Sequence, residues 1–521
     1  MRKFNVTGLC IPGKHYMVDI TNKLIQIKEM VDDGDYFTIN QSRQFGKTTT
    51  LKMLQHFLES EYIVISISFE DWGDAVFATE GTFCQILLEQ IKMALKVTET
   101  CAEYQKSWVD DSVTTFERLS AHIGKMCHCK NIVLMIDEVD KTSNNRVFLQ
   151  FLGVLRAKFL KQQAGVEETF KSVILAGVYD VKNVKLKMIS DGIYTPKVGE
   201  NNLRNSPWNI ATNFEVDLSF NPFEIETMLT EYEKDHQTGM DISTIAQEIY
   251  IYTFGYPFMV SRICQIIHRK LNKDWSSLGV GNGFALLLKD DNQLFNDLAK
   301  NLENDAGLYK LMHDVLMLGI RRSYVLMNPV IERAVRYGYI KERRGSAVVS
   351  NKVFETLIVN YFVSKNEEKI PFQRIGALDN EIIKDDSLDM ALLLEKFAHF
   401  FNRELFPTKE KELLEVQYRL SFISYLKPFL NGIGHYHLES QLTDERRLDV
   451  VVNYLNNEYI IELKRIFTEK DRTDGIEQLL GYMSGRNAQT GYFLTFDFRK
   501  KSAPTVNWLE FGEKRILEIN V

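Results

Sequence analysis

Three charged residues near the C terminus have the types and the spacing of a metal-dependent hydrolytic site. Asp449 opens one β-rich segment, a short turn follows at Asn456-Asn457, and Glu462 and Lys464 lie two residues apart in a second apolar segment. Side chains two apart on a strand point to the same face, so Glu462 and Lys464 are predicted neighbours that Asp449 joins from the adjoining strand. Two carboxylates can hold Mg²⁺, and a lysine beside them can orient an attacking water and offset charge that develops on a phosphate.

The surroundings of these residues carry more information than their spacing. Glu367 and Lys369 repeat the same spacing inside a charged segment, so the spacing alone is a weak signal. The neighbours of Glu462 and Lys464 are isoleucine and leucine, and charged groups in a buried strand need a partner or a metal. A plain Glu–Lys ion pair within a sheet is the alternative interpretation.

The C-terminal region, over about residues 385–500, resembles the PD-(D/E)XK nuclease superfamily. The motifs that carry the resemblance are Arg447-Leu448-Asp449, Ile460-Ile461-Glu462-Leu463-Lys464, Glu477-Gln478-Leu479 and Tyr482. More narrowly, the arrangement is similar to the nuclease-like domain fused to AAA-ATPase-like proteins of gut Bacteroides-type bacteria. The resemblance implies that Asp449 and Glu462 bind Mg²⁺ or Mn²⁺, that Lys464 is catalytic, and that Gln478 supports them from a following helix.

Composition and charge are ordinary for a globular protein. At 521 residues the chain has room for about three domains, and it is 45% hydrophobic and 26% charged. No apolar run approaches the ~20 residues of a membrane span, and the first residues lack the apolar core of a secretory signal. A net charge of −7 argues against a basic surface over the whole protein, so any contact with nucleic acid must be local. We therefore expect a cytoplasmic protein with no membrane contact.

The six cysteines do not form a metal motif of the usual spacing. They are scattered without a Cys-x-x-Cys pair, and Cys127-His128-Cys129 is too tight for a usual zinc knuckle. We therefore interpret the cysteines as buried or free thiols in a reducing cytosol.

A second candidate site, near the N terminus, has the order of a phosphate-binding loop. Residues 35–40 are predicted to form a strand and residues 41–48 the loop leaving it, and a helix with regularly spaced apolar residues begins at Thr48. Gly46 lets the backbone approach the phosphates, Lys47 reaches the β- and γ-phosphates, and Thr48 can bind Mg²⁺ at the positive end of the helix.

The loop departs from the usual motif at Gln41, where the first glycine would stand. We therefore expect a different turn at the start of the loop. Arg43 is a candidate for additional positive charge near the phosphates, which a plain loop would lack.

An acidic strand end is the predicted partner of this loop. Residues 131–136 are apolar and are followed by Asp137-Glu138. Asp137 can hold Mg²⁺ through water, and Glu138 is placed to polarise the water that attacks the γ-phosphate. A capped buried strand followed by an acidic turn is the alternative. Further along, Asp180 or Asn183 is a candidate γ-phosphate sensor, and a helix cap or turn is an equally open interpretation.

Strands and helices alternate in this part of the chain. Two further strands at residues 63–69 and 173–177 alternate with helices near 78–97, 113–127 and 147–163. Such alternation implies a parallel sheet that binds ligands at the carboxyl ends of its strands.

This N-terminal part, about residues 3–220, resembles the AAA-ATPase-like family. The segments that carry the resemblance are Lys14-His15-Tyr16-Met17-Val18-Asp19, Tyr36-Phe37-Thr38-Ile39-Asn40, Arg43-Gln44, Gly46-Lys47-Thr48-Thr49 and Ser206-Pro207-Trp208-Asn209-Ile210-Ala211. The resemblance implies an ATP-binding domain of the additional-strand P-loop type, with Thr49 among its nucleotide-binding residues. It says little about what the ATP is used for.

The middle of the chain is predicted to be helical after a boundary at Asn221-Pro222, because proline restricts the residue before it. A glycine-proline turn at residues 253–258 leads into Arg262. In AAA-like lids such a turn places a basic residue toward the nucleotide, so Arg262 is a candidate for that role. A surface arginine is the alternative.

Residues 305–362 look like a winged-helix module with a hairpin at Gly345. Between Arg321 and Arg344 the module has two acidic residues and seven basic ones, which are Arg321, Arg322, Arg333, Arg336, Lys341, Arg343 and Arg344. A recognition helix beside a basic wing would suit contact with phosphates. The alternative is a scaffold that only links its neighbours.

These features predict an α/β multidomain protein. The expected domains are a P-loop ATPase domain with a parallel sheet (1–220), a helical lid (221–300), a winged-helix-like module (301–365) and a C-terminal PD-(D/E)XK nuclease-like domain (370–521). The first hypothesis is an ATPase joined to a Mg²⁺-dependent nuclease that cuts nucleic acid under nucleotide control, with DNA favoured over RNA as the partner and the choice between them open. One alternative is a nucleotide-switched regulatory protein whose nuclease fold binds nucleic acid without cutting it. Another is an active nuclease whose ATPase only senses nucleotide, and a homo-oligomer is open in each case.

Overall fold

The computed structural model divides into two compact units. The residues that it describes are 2–96, 102–139, 145–177, 208–318, 320–367, 379–384, 387–405, 411–430, 434–440, 448–455, 457–466, 468–486, 488–497 and 503–521. The first unit comprises Met1–Ala246, Gly255–Gln265 and Arg336–Gly338, and the second comprises Gln247–Phe254, Ile266–Val335 and Tyr339–Val521. Among the helices in these ranges, none has the length and apolarity that crossing a membrane requires.

The first unit is built on a four-stranded parallel sheet, as the alternating pattern predicted. Its strands are β1 (Tyr36–Asn40), β2 (Ile63–Ser68), β3 (Ile132–Asp137) and β4 (Ser172–Gly177). They lie in the order β1-β4-β3-β2, so one additional strand, β4, separates the strand before the phosphate loop from the strand with the acidic end. Beside β1, Thr212 forms an isolated parallel bridge to Phe37.

Helices cover this sheet and continue beyond it. They are α1 (Thr21–Asp33), α2 (Lys47–Leu58), α3 (Glu80–Lys96), α4 (Ala102–Ser107), α5 (Phe116–Cys127), α6 (Arg146–Gln163), α7 (Pro222–His236), α8 (Ile242–Thr253) and α9 (Pro257–Lys270). Strands β3 and β4 are buried along their whole length, as expected for central strands of a parallel sheet. Apolar residues of α3, α5 and α6 form a continuous core with the sheet.

Helix ends follow local capping chemistry. Helix α5 begins three residues later than predicted, because the Thr115 side chain accepts a hydrogen bond from the Arg118 amide at 3.3 Å and so fixes the start. Helix α7 begins where the sequence predicted a boundary. Asn221 and Glu224 form a capping box, with amide–oxygen distances of 2.9 and 2.8 Å, and Pro222 occupies the first turn.

In the described residues, the second unit adds further helices and three sheets. Its further helices are α10 (Ser277–Leu287), α11 (Gln293–Asn304), α12 (Ala306–Leu316), α13 (Pro329–Arg336), α14 (Lys352–Glu367), α15 (Asp379–Ile382), α16 (Met390–Phe400), α17 (Lys411–Leu430) and α18 (Glu469–Gly485). Its strands are β5 (Arg322–Ser323), β6 (Ile340–Arg343), β7 (Ser346–Val349), β8 (Ile383–Lys384), β9 (Ser387–Leu388), β10 (His435–Ser440), β11 (Leu448–Tyr454), β12 (Asn457–Arg465), β13 (Thr490–Phe496), β14 (Thr505–Phe511) and β15 (Lys514–Asn520).

Two of these sheets carry the remaining candidate residues. Strands β5, β7 and β6 form a small antiparallel sheet whose hairpin turns at Gly345, with a φ of 75°. Strands β10 to β15 form a six-stranded mixed sheet in the order β10-β11-β12-β13-β15-β14, and α18 packs against β12 and β13. The assignments of these parts to a winged-helix module and to a nuclease fold stay predictions.

Candidate functional site

The loop after β1 wraps around the ammonium group of Lys47. Lys47 begins helix α2 and is 8% exposed, and its Nζ donates to the carbonyl oxygens of Gln41 at 2.9 Å and Ser42 at 3.0 Å. The left-handed turns of the loop fall at Gln44 (φ 58°) and Gly46 (φ 80°) rather than at Gln41. The residue that replaces the usual first glycine therefore stands where the backbone does not require one.

The acidic end of β3 lies beside the start of α2. The Thr48 hydroxyl donates to Asp137 Oδ2 at 2.7 Å, and Asp137 Oδ1 accepts the amide of Glu138 at 2.9 Å. Asp137 is buried, whereas Glu138 is half-buried and has a φ of 57°, a conformation that costs energy for a residue with a side chain. A hydroxyl and a carboxylate in contact are the oxygen ligands that Mg²⁺ prefers, so the donor set fits this ion.

An apolar pocket of about 150 Å³ adjoins the loop. Its walls come from the N-terminal segment, from α2 and from the starts of α7 and α9, and include Val18, Met53, Met228 and Phe258. Thr49 lines the pocket and its hydroxyl accepts the amide of Cys10 at 3.2 Å. Thr49 thus holds the N-terminal segment against α2.

Tyr256 fixes the outer side of the loop. Its hydroxyl donates to the carbonyl of Arg43 and lies 3.1 Å from the Ser42 hydroxyl, and its ring packs edge-on against Phe45 at 4.8 Å. Tyr256 is 3% exposed, and this burial raises the pKa of its hydroxyl, so the group stays a hydrogen-bond donor. Sequence reasoning missed this residue, although the Gly-Tyr-Pro turn that contains it was singled out.

The turn before Tyr256 is locked to the backbone near the start of α7. Gly255 has a φ of 71°, and its carbonyl accepts the amide of Phe220 at 2.8 Å. A Cβ atom at Gly255 would lie 1.8 Å from the Phe220 oxygen, so only glycine fits this position.

The other residues predicted for this site either make contacts of a different kind or lie outside the described residues. Arg43 is exposed, and its backbone carbonyl is the atom bound by Tyr256. Arg262 lies on α9 and donates to the Gln265 side chain, and its predicted role at the nucleotide stays a prediction. Asp180 and Asn183 lie outside the described residues.

One hairpin of the second unit carries the predicted C-terminal residues Asp449, Glu462 and Lys464. Asp449 on β11 is directly opposite Glu462 on β12 in an antiparallel pair, and Lys464 follows two residues later on the same strand. Helix α18, which carries Gln478, packs closely at Gly475 against the sheet face that carries Lys464. A Cβ atom there would lie 2.9 Å from Lys464 Cδ. The side chain of Asp449 lies outside what the structure describes.

Two fully buried glutamates on this sheet differ in their partners. Register places Glu462, Phe493 and Glu518 in one row across β12, β13 and β15, and directly paired residues share a face. Glu518 is 2% exposed and is bound by Arg472, whose Nε and Nη2 donate to both carboxylate oxygens at 2.6 Å. Glu462 is 0% exposed, and neither of its carboxylate oxygens accepts a hydrogen bond from a described residue. A buried carboxylate of this kind fits a bound cation.

A family model described as an AAA-like domain matches residues 13–278, slightly more than half of the chain. The chain belongs to the AAA-like domain family. The loop of residues 41–48, the acidic end of β3 and the helices α7 and α8 all lie within the matched residues. The match ends before β5, so the AAA-like family accounts for the N-terminal resemblance and leaves the C-terminal nuclease resemblance as a prediction.

Solved structures similar to this AAA-like protein include a Walker-type ATPase of Pyrococcus abyssi, at 13% identity and a TM-score of 0.45, covering 68% of this chain and 99% of that one. The ORC2 protein of Aeropyrum pernix in ADPNP–ADP complexes matches at 13% identity and a TM-score of 0.34, covering 70% and 98%. The ORC1 protein of Aeropyrum pernix in complex with DNA matches at 11% identity and a TM-score of 0.30, covering 68% and 97%. No curated protein matches the chain.

Proposed function

We propose that the protein binds and hydrolyses ATP at the loop formed by residues 41–48, and that its C-terminal domain hydrolyses nucleic-acid phosphodiester bonds under the control of that nucleotide. The single observation that carries the first part is the contact between Thr48 and Asp137 beside the buried ammonium of Lys47. The observation that carries the second is the buried carboxylate of Glu462, without a hydrogen-bond partner among the described residues, opposite the backbone of Asp449.

The AAA-like domain supplies each part of a nucleotide site. Lys47 can exchange the carbonyl oxygens of its own loop for the β- and γ-phosphate oxygens, because its Nζ already lies inside the loop. The apolar pocket beside Gly46 suits the flat, weakly polar face of a base. Thr48 and Asp137 would hold Mg²⁺, which neutralises charge on the transferred phosphate. Glu138, next to the metal ligand and half-buried, orients the attacking water as a general base.

Calorimetry with MgATP tests this site. Lys47→Ala removes the ammonium that contacts the phosphates, so we expect no measurable binding. Lys52→Ala is the matched control, because Lys52 is an exposed lysine on the same helix whose Nζ bonds to Gln55. ATP affinity equal to wild type in Lys47→Ala would place the nucleotide elsewhere.

Each of the predicted C-terminal residues has its own proposed role in phosphodiester hydrolysis. Asp449 and Glu462 would hold the cation from adjacent strands, and a bound cation would lower the pKa of a coordinated water toward neutrality. Lys464, two residues after Glu462, positions that water and the phosphate, and Gln478 on α18 supports the group from above the sheet. Arg472 neutralises the carboxylate of Glu518, and a bound cation would neutralise the carboxylate of Glu462 in the same way.

Cleavage assays with plasmid, single-stranded DNA and RNA, in Mg²⁺ or Mn²⁺ and with or without ATP, test the nuclease. We expect Asp449→Ala and Glu462→Ala to lose cleavage and metal binding, and Lys464→Ala to lose cleavage while keeping most of the metal affinity. Glu458→Ala is the matched control, since Glu458 lies on the same strand and pairs with Arg486. Metal affinity is measured in the Lys47→Ala background, and ATP affinity should not respond to any of these C-terminal changes.

A nucleotide-switched protein that binds nucleic acid without cutting it is the second candidate. The hairpin after β6 favours a nucleic-acid contact, because Arg343 and Arg344 are adjacent at its tip. Burial, and then the charge of Arg344, lower the pKa of the Arg343 guanidinium, so an approaching phosphate relieves repulsion there. Other basic residues of the predicted cluster are engaged within the protein, since Arg322 pairs with Asp314. This second function would be established if the protein binds DNA at this hairpin and cuts none of the nucleic-acid substrates with either Mg²⁺ or Mn²⁺.

A further inference from the structure

Three residues with metal-binding side chains meet at the end of the sheet opposite the nucleotide loop. His128 and Cys129 lie between α5 and β3, and Glu168 lies just before β4. These positions precede two neighbouring parallel strands, whereas the phosphate loop and Asp137 follow strand ends. Any chemistry of this trio is therefore separate from the ATP site.

The three side chains are already in mutual contact. His128 Nδ1 lies 3.0 Å from Glu168 Oε2, and the same oxygen accepts the Cys129 amide at 2.7 Å. Cys129 Sγ lies 3.6 Å from His128 Nε2. One candidate ligand atom from each residue falls within 4.8 Å of the other two, and all three residues are exposed. The backbone of Cys129 is left-handed, with a φ of 56°.

We propose that His128, Cys129 and Glu168 form a binding site for a divalent transition metal of the zinc class. An imidazole, a thiolate and a carboxylate are three ligands of the kinds that zinc takes, and a water can complete a tetrahedron. With bond lengths of about 2.0 Å to nitrogen or oxygen and about 2.3 Å to sulfur, a tetrahedral ion sets its ligand atoms roughly 3.3–3.5 Å apart. An imidazole offers only one nitrogen to a given ion, and Glu168 and Cys129 lie near different nitrogens of His128, so closure needs a rotation of the Cys129 or Glu168 side chain.

The neighbouring cysteine is excluded from the site by its burial. Cys127 is 1% exposed and packs within the apolar core beneath the sheet, so its thiol does not face an ion held at the surface. The Cys-His-Cys sequence is therefore divided into one core residue, Cys127, and two surface ligands, His128 and Cys129. The third ligand is supplied from 39 residues further along the chain, at Glu168. A bound ion would join the two loops that lead into β3 and β4.

Cobalt titration of the reduced, full-length protein tests the proposal, with excess Mg²⁺ present to occupy the oxygen-ligand sites. Co²⁺ bound to a thiolate gives a sulfur-to-metal charge-transfer band that carboxylate sites lack. We expect this band in wild type, its loss in Cys129→Ser, and affinity weakened at least about tenfold in His128→Ala and Glu168→Gln. Zinc should displace the cobalt and raise the Tm of wild type but not of Cys129→Ser.

Two variants serve as matched controls. His56→Ala removes a histidine that pairs with a glutamate in the same way, His56 Nδ1 to Glu59 Oε2 at 3.3 Å, with no cysteine bonded to the pair. Cys10→Ser removes a partly exposed thiol of the same unit. Both should bind cobalt as wild type does. If wild type shows no charge-transfer band, or if the band persists in Cys129→Ser, the proposed metal site is wrong and the trio is only a surface ion pair. If Glu168→Gln binds cobalt with wild-type affinity, Glu168 is not a ligand.

Discussion

Removing one oxygen atom, in Tyr256→Phe, tests whether the phosphate loop is held in place by the turn that leads into α9. The Tyr256 hydroxyl makes two buried hydrogen bonds to the loop, to Arg43 and Ser42. Each is worth about 1 kcal/mol net. If one bond supports the nucleotide-binding conformation, the Kd for MgATP rises about 5-fold, and if both do, it rises about 30-fold. Tyr256 acts as a positioning residue in either case.

The assay is calorimetric binding of MgATP together with steady-state hydrolysis, because a positioning residue moves Kd and KM as well as kcat. Tyr36→Phe is the matched control: the Tyr36 ring is fully buried in the same unit, and its hydroxyl donates to the Phe170 carbonyl at 3.1 Å. That change should lower the free energy of unfolding by about 1 kcal/mol and leave the Kd unaltered. The reasoning fails if both variants lose similar stability and Tyr256→Phe keeps wild-type ATP affinity.

Three further changes probe other parts of the chain. Glu138→Gln should retain ATP binding and lose hydrolysis in a phosphate-release assay, and turnover at the wild-type rate would mean that another group is the base. Gly255→Ala should lower the free energy of unfolding by at least about 2 kcal/mol in urea titrations, because of its positive φ and its backbone neighbour, whereas Gly73→Ala, with open space around it, should be nearly neutral. Replacing Arg343 and Arg344 by Glu should weaken binding to all nucleic-acid sequences and reduce its salt dependence, and an unchanged isotherm would return the hairpin to a scaffold role.

Much of the nucleotide site could be predicted because its signals are local. A strand, a Gly-Lys-Thr and a helix are consecutive, and the hydrophobic run ending at Asp137 is contiguous, so pattern and spacing were enough to place Thr48 beside Asp137. The C-terminal hairpin was predicted less exactly. The two-residue period of strands placed Glu462 and Lys464 on one face, but the predicted turn at Asn456-Asn457 was wrong, since Asn457 already belongs to β12 and pairs with Tyr454, which sets Asp449 opposite Glu462.

The residues that sequence reasoning missed depend on contacts between distant segments. Tyr256 reaches Ser42 across 214 positions, and no local pattern reports such a distance. Glu518 and Arg472 are 46 positions apart, and each looks like an ordinary surface residue in the sequence. Glu168 is likewise a common residue, and only the neighbouring strand brings it to His128.

The hydrogen bond between the Phe220 amide and the Gly255 carbonyl joins the segments that precede two helices. Helix α7 starts two residues after Phe220, and α9 starts two residues after Gly255, so both helices leave from one fastened point. A movement of Tyr256 with the phosphate loop would therefore act on the starts of both helices as long as this hydrogen bond is kept. We therefore expect α7 and α9, which are separate in sequence, to move together about Phe220 when nucleotide binds.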